Sequence, residues 1–211
     1  MTTSPPAHLH ARKRPRQRRA KATLDAIFEA SIQVLLSEGQ QRLTTTSVAE
    51  RAGVSVGTMY QYFPHKQALI HALNERYLEV LSERVEAACR AQHGATIGRM
   101  VDALVSTYWA AKTERPEVTR VLYQTVVGMD NRSLIEAFGT RADAATAAML
   151  ASASDAAFVD LRTVTLTFLT TVFGTVRNVF ERDLPAPDAD AVLGQLMLMC
   201  RAYLESVRQT A

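Results

Sequence analysis

The chain has 211 residues, 47% of them hydrophobic and 21% charged, which is enough apolar mass for a buried core and excludes a chain disordered throughout. Nine glycines and seven prolines exclude collagen-like and low-complexity chains, and two cysteines, Cys89 and Cys200, cannot build a disulfide framework or a CxxC metal knuckle. The net charge of +3 is uneven: residues 1–66 carry ten Lys/Arg against four acids and the remainder fourteen against seventeen, which points the first part toward a polyanion.

Residues 1–14 are polar, contain Pro and lack periodicity, and are expected to form a mobile arm. The basic run RKRPRQRR at 12–19 makes Arg12, Arg14 and Arg16 candidates for phosphate or minor-groove contact, against a merely solvated arm or a localisation signal. No apolar run follows these charges, so no signal peptide is expected. The longest charge-free stretch that looks apolar, between Arg162 and Arg177, holds six threonines and is shorter than the ~18 apolar residues a membrane helix needs. A cytoplasmic chain without membrane contact is the expectation.

From about Gln17, Leu24, Ile27, Phe28, Ser31, Val34 and Leu35 recur at helical spacing, and Gly39 supplies a C′ position. Thr44 begins a short helix through Ala52 with Val48, Ala49 and Ala52 inward; Ser47 and Glu50 also fit a capping box, which leaves the start open. Gly53 interrupts, Ser55 can cap a third short helix to Tyr62, and Phe63 must be extended because proline follows. A long helix runs from His65 or Lys66 to Arg90.

Further helices are expected near 96–112, 117–128, 132–152, 159–182 and 189–209, with Pro116 and the PAPD run at 185–188 as breaks. Thr163–Phe168 alternates like a strand, but Leu166, Leu169, Phe173, Val176 and Phe180 keep a helical register, with Leu161, Val164, Phe168 and Val172 on a second face. The last helix is also two-sided, with Val192, Leu196, Met199, Tyr203 and Val207 beside Leu193 and Cys200. A helix apolar on two sides is buried on two sides, so these helices are expected to pack on their own domain and on a second subunit. Leu166, Leu169, Phe173, Leu196, Met199 and Tyr203 are the candidate dimer residues.

Helix, Gly-containing turn and short helix is the helix-turn-helix layout, whose second helix enters the major groove. Ala49 is small enough for a close crossing, Gly53 can take the positive φ of a tight turn, and Val54 and Met59 fix the crossing angle. Ser55, Val56, Gly57, Thr58 and Gln61 are left outward, and no acid occurs from Gly53 to Asn74. Tyr60, Tyr62 and Lys66 can meet phosphates, while Thr58 and Gln61 can reach base edges. Gly57 costs roughly 1 kcal/mol of helix propensity against alanine, a loss that makes sense where the backbone must approach DNA.

Residues 43–70, LTTTSVAERAGVSVGTMYQYFPHKQALI, resemble the DNA-binding signature of the TetR family of bacterial transcription regulators. The resemblance covers about 50 residues, supported by the first helix; the rest matches in architecture alone. It implies an all-α fold: an N-terminal three-helix helix-turn-helix DNA-binding domain at 17–66, behind an arm at 1–16, and a C-terminal helical ligand-binding and dimerisation domain at 67–211. It implies a homodimer built on the last two helices, a double-stranded pseudo-palindromic operator, and a small-molecule effector that releases it. Matching positions that would contact DNA are Thr46, Ser55, Val56, Gly57, Thr58, Tyr60, Gln61, Tyr62 and Lys66. One departure is His65, where the family usually has Ser, Asn or Asp capping the fourth helix.

Met100, Trp109, Tyr123, Phe138 and Phe168, with Tyr108, Phe173 and Met129, are either an effector pocket or ordinary core. Tyr108 and Trp109 are neighbours on one helix and are not expected both to face inward. Arg177, inside an apolar helix, needs an acid across the dimer or an anionic ligand. Cys89 and Cys200 read as small buried hydrophobes. Gly53-Val54-Ser55-Val56-Gly57 also spells the GxSxG hydrolase elbow, but that chemistry needs a strand before the serine, and VAERA is helical. The expectation is a regulator, most simply a repressor, with no enzyme activity, no cofactor and no metal; a constitutive DNA-binding regulator or an activator without an effector is the alternative.

Overall fold

The computed structural model describes residues 18–127 and 131–209. Among these, nine helices follow one another: α1 (Arg18–Glu38), α2 (Thr45–Arg51), α3 (Val56–Tyr62), α4 (Lys66–Ala91), α5 (Ile97–Thr113), α6 (Pro116–Val127), α7 (Arg132–Ala151), α8 (Leu161–Glu181) and α9 (Ala186–Val207). The alternating Thr163–Phe168 segment lies within α8, whose start is capped by Asp160 accepting the Thr163 N–H at 3.0 Å. The prolines open helices rather than break them: Pro116 is the first residue of α6, Pro185 is the N-cap of α9, and Pro187 stands in its first turn. First-turn N–H groups have no intrahelical partner, so proline loses nothing there. That is why α9 begins before the expected residue 189.

The described residues form two compact units. The first draws on residues 18–78, 117–127 and 131–135; the second draws on residues 79–116 and 136–209. The division between these units falls within α4, and nearly all of α6 joins the first unit.

In the first unit, Ile27, Phe28, Val34 and Leu35 of α1 pack with Leu43, Val48, Ala49, Met59, Phe63, Leu69 and Ile70, and α6 adds Val118 and Leu122. Phe28 and Phe63 meet with ring centroids 5.9 Å apart. Arg76 bonds Asp25 at 2.6 Å and lies over the Phe28 ring. Polar bonds also join α4 and α6: the Tyr77 and Thr119 hydroxyls lie 3.0 Å apart, and Thr125 donates to Asn74 at 3.3 Å.

In the second unit, α5 buries Ile97, Met100, Val101, Leu104, Val105, Tyr108, Trp109 and Lys112. Tyr108 and Trp109 are thus both inside, against expectation. Residues 100° apart on a helix share the interior when the buried stripe is wide enough. Arg141 of α7 clamps α4, reaching Glu86 through Nε at 2.6 Å and through a second nitrogen at 3.0 Å, and Glu79 at 3.0 Å. That hydrogen bond holds the Glu86 carboxyl below its ordinary range and raises the Arg141 guanidinium. Arg201 of α9 pairs with Asp102 of α5.

Candidate nucleic-acid interface

Thr44 opens α2. Its hydroxyl accepts the Ser47 N–H at 2.9 Å and the Ser47 hydroxyl accepts the Thr44 N–H at 3.0 Å, so the capping box is Thr44–Ser47, not Ser47–Glu50. Thr46, in the first turn, is exposed. After α2, Gly53 takes φ +67° and donates to the Glu50 carbonyl at 3.2 Å, while Val54 donates to Ala49 at 3.0 Å. This is a left-handed helix stop, where a Cβ would be strained. Ser55 then caps α3: its hydroxyl accepts the Thr58 N–H at 3.0 Å and shares a hydrogen bond with the Thr58 hydroxyl at 2.8 Å. The GxSxG serine is therefore a helix cap that follows a helix and a turn.

Met59 and Tyr62 anchor α3 in the first unit's core, leaving Val56, Gly57, Tyr60 and Gln61 exposed and Thr58 half-buried. The two tyrosines therefore separate. Tyr60 is 45% exposed; Tyr62 is 6% exposed and its ring packs near Phe63, so its body serves the core. Two residues apart on a helix means opposite sides. Gly57 has no internal reason to be glycine: a Cβ there would meet nothing nearer than the Ser55 hydroxyl at 3.8 Å. Lys66 is half-buried, and its ammonium donates to the Gln40 carbonyl. His65 caps α4, its Nδ1 accepting the Ala68 N–H at 3.2 Å, an acceptor that exists only in the neutral ring. Arg42, just ahead of the Thr44 cap, is exposed; only its charge marks it in the sequence. Arg12, Arg14 and Arg16 lie outside the described residues.

The candidate effector residues divide. Met100, Trp109, Phe138 and Phe168 are buried in the second unit, whereas Tyr123 is half-buried in the first. Met129 lies outside the described residues. Arg177 is exposed and bonds Glu181 one turn on, at 2.6 Å, so it needs neither a partner subunit's acid nor a ligand. A cleft of about 290 Å³ lies between α4 and α7, lined by Glu86, Cys89, Arg90, His93, Arg141 and three alanines, with none of the expected effector residues. Burial pushes the Cys89 thiol up and the Cys200 thiol up to about 11, so both are protonated and inert near neutrality. Of the dimer candidates, Leu166 and Met199 are exposed and Phe173 and Tyr203 half-buried. Leu169 and Leu196 are buried within the chain itself, the inner stripe of α8 being wide enough to take in members of both expected faces. Leu198, unflagged by periodicity, is 60% exposed.

Among the described residues no helix is long and apolar enough to cross a membrane, and no group of three His, Cys, Asp or Glu could hold a metal ion. Residues 27–73 match the family model described as bacterial regulatory proteins, tetR family, and residues 96–204 match the tetracyclin repressor-like C-terminal domain. A nucleoid occlusion factor SlmA from Haemophilus ducreyi is 34% identical over 109 residues, 51% of this chain and 53% of that protein. The chain spans about half the length of the curated relatives it matches. A TetR-family transcriptional regulator from Streptomyces coelicolor superposes with a TM-score of 0.61 at 27% identity, covering 88% of this chain and 99% of that one. A putative TetR-family regulator from Mesorhizobium loti gives 0.72 over 90% and 98%, at 15% identity. With the C-terminal model alone covering more than half its length, the chain belongs to the TetR family and is a DNA-binding transcriptional regulator.

Proposed function

We propose that the protein is a ligand-responsive repressor that binds a pseudo-palindromic operator as a homodimer, in the cytoplasm, and leaves it when an effector occupies the second unit. The observation that carries the DNA-reading part is the outer side of α3. Val56, Gly57, Tyr60 and Gln61 stand exposed with no acid nearby in sequence, on a helix fixed from behind by Met59 and Tyr62. Gly57, which nothing inside the protein requires, lets backbone approach backbone. Thr46, Ser55, Thr58 and Arg42 extend the contact across the groove edge, with the 12–19 run reaching phosphates beyond it.

Dimerisation is assigned to the outer faces of α8 and α9. Leu198 and Met199 are 60% and 57% exposed, and Leu166 and Gly174 are exposed on α8, a face too apolar to stay wet and small enough for close helix approach. Replacing both Leu198 and Met199 by lysine should give monomers in sedimentation, with operator affinity collapsing; an unchanged dimer moves the interface elsewhere.

Selection of random duplex DNA near physiological salt tests the reading. An enriched inverted repeat supports it and sets the half-site spacing. The curated relatives are named nucleoid occlusion factor, not repressor, which keeps a second reading: a constitutive DNA-binding regulator with no effector. A screen of small molecules for release of the selected operator separates the two.

A further inference from the structure

The outer side of α3 divides chemically along its length. Residues four apart on a helix share a face, so Val56 stands in line with Tyr60 and Gly57 with Gln61. All four are exposed, Val56 at 42% and Tyr60 at 45%. The second turn therefore offers a hydroxyl and an amide, whereas the first offers one isopropyl group beside a glycine. The two hydroxyls flanking that isopropyl group are engaged with each other: Ser55 and Thr58 bond at 2.8 Å, and Ser55 also accepts the Thr58 N–H at 3.0 Å. Val56 does nothing for the core either. Val54, Met59 and Tyr62 pack into or against the first unit's core, and Val56 lies outside it.

We propose that Val56 reads the 5-methyl group of a thymine in each half-site. The inference rests on the DNA-reading role of α3 above and names the chemical group recognised. The N-terminal residues of a recognition helix are those that meet base edges in the major groove. Along that groove every base edge carries a hydrogen-bond donor or acceptor, and thymine alone adds a methyl group. An isopropyl group bonds none of the donors or acceptors. Set against the cytosine amino group or the guanine acceptors, it strips their water and returns nothing, which is a cost. Set against a thymine methyl, it removes apolar surface from water on both partners, which is a gain. One side chain thus favours thymine and disfavours the alternatives, and the two effects add in the discrimination. Gly57 carries no side chain that would hold the valine off the base edge, and nothing inside the protein asks for one to be absent.

The test is a double-mutant cycle between protein and DNA, run with the full chain on the duplex obtained by binding-site selection. In one half-site, thymines are replaced singly by deoxyuridine, which lacks only the 5-methyl group, and by 5-bromodeoxyuridine, whose bromine fills the methyl's place. At one of these positions deoxyuridine should weaken wild-type binding about fourfold, and bromine should restore it. Val56→Ala should weaken binding to the all-thymine duplex by that factor in each half-site and lose nothing further with deoxyuridine at that position. The side chain is exposed, so the variant should melt with the wild type, which shows that the head is intact. A selected operator in which no thymine responds to loss of its methyl overturns the proposal and leaves α3 as the reading helix. So does a Val56→Ala chain that stays as sensitive as wild type at every thymine. If selection enriches no sequence, the DNA-reading role of α3 and this proposal fall together.

Discussion

The ammonium of Lys66, in the first turn of α4, donates to the carbonyl of Gln40, in the turn between α1 and α2. It closes the loop of chain that contains α2 and α3, tying the start of α4 to the far side of the DNA-reading pair. A lysine that the family resemblance assigns to phosphate is here a brace.

The two roles separate by salt dependence. Lys66→Met should lower unfolding free energy by about 1.5–3 kcal/mol, the range for a hydrogen bond from a charged donor. The slope of log affinity against log salt should stay unchanged in that variant. A slope reduced by about 0.9 would restore Lys66 to a phosphate contact.

Tyr60 and Tyr62 should respond oppositely. Tyr60→Phe should weaken binding to every operator sequence by a similar factor with the melting temperature unmoved, since only an exposed hydroxyl is lost. Tyr62→Ala should cost about 3 kcal/mol of stability through a cavity beside Phe63. Gln61→Ala, on the exposed side, should relax preference at particular bases in a binding-site selection.

Gly57→Ala should move stability and function in opposite directions. With open space around the added methyl, the free protein should gain about 0.5–1 kcal/mol from helix propensity. DNA affinity should fall, because the methyl occupies the approach of the duplex. Thermal melts and a binding isotherm on one preparation decide it; full affinity would mean that the backbone does not come close.

Legibility divided along the lines of what is local. The head was readable because its signals are short-range: Gly53 is demanded by a left-handed stop, Ser55 by an uncapped α3, and Phe63 by the proline after it. The capping box was not settled by sequence, because Ser47 can be either a cap or a third-position partner, and only the geometry at Thr44 chooses. In the second unit the buried stripes are broad. A broad stripe takes in residues from both faces that spacing separates, which buries Leu169 and Leu196 within the chain and Tyr108 and Trp109 together. A charge amid apolar residues needs a partner, and Arg177 finds it one turn on in Glu181, on its own helix. Lys112 follows the apolar run from Tyr108 to Ala111, and its burial comes from packing of other helices around α5, which local spacing does not show.

Lys112 also sets a pH dependence. Its amine is held down to about 7 in the fold against an ordinary 10.5, so between those values the unfolded chain binds more protons and stability rises with pH. The cost of the buried charge is fully present below about 7. Lys112→Met should remove that rise, so the difference between variant and wild type should change across about pH 7 to 10.5. Denaturant melts of both proteins across that range test it. A gap independent of pH would show that packing, not charge, is responsible.

Trp109, the chain's single tryptophan, is buried on α5 in the second unit. Indole emission therefore originates in one unit alone, and the DNA-reading head is dark at that wavelength. Unfolding followed by emission and by far-ultraviolet helicity coincides only if both units melt together. A helicity change that precedes the emission change would be the head opening on its own, seen without any label.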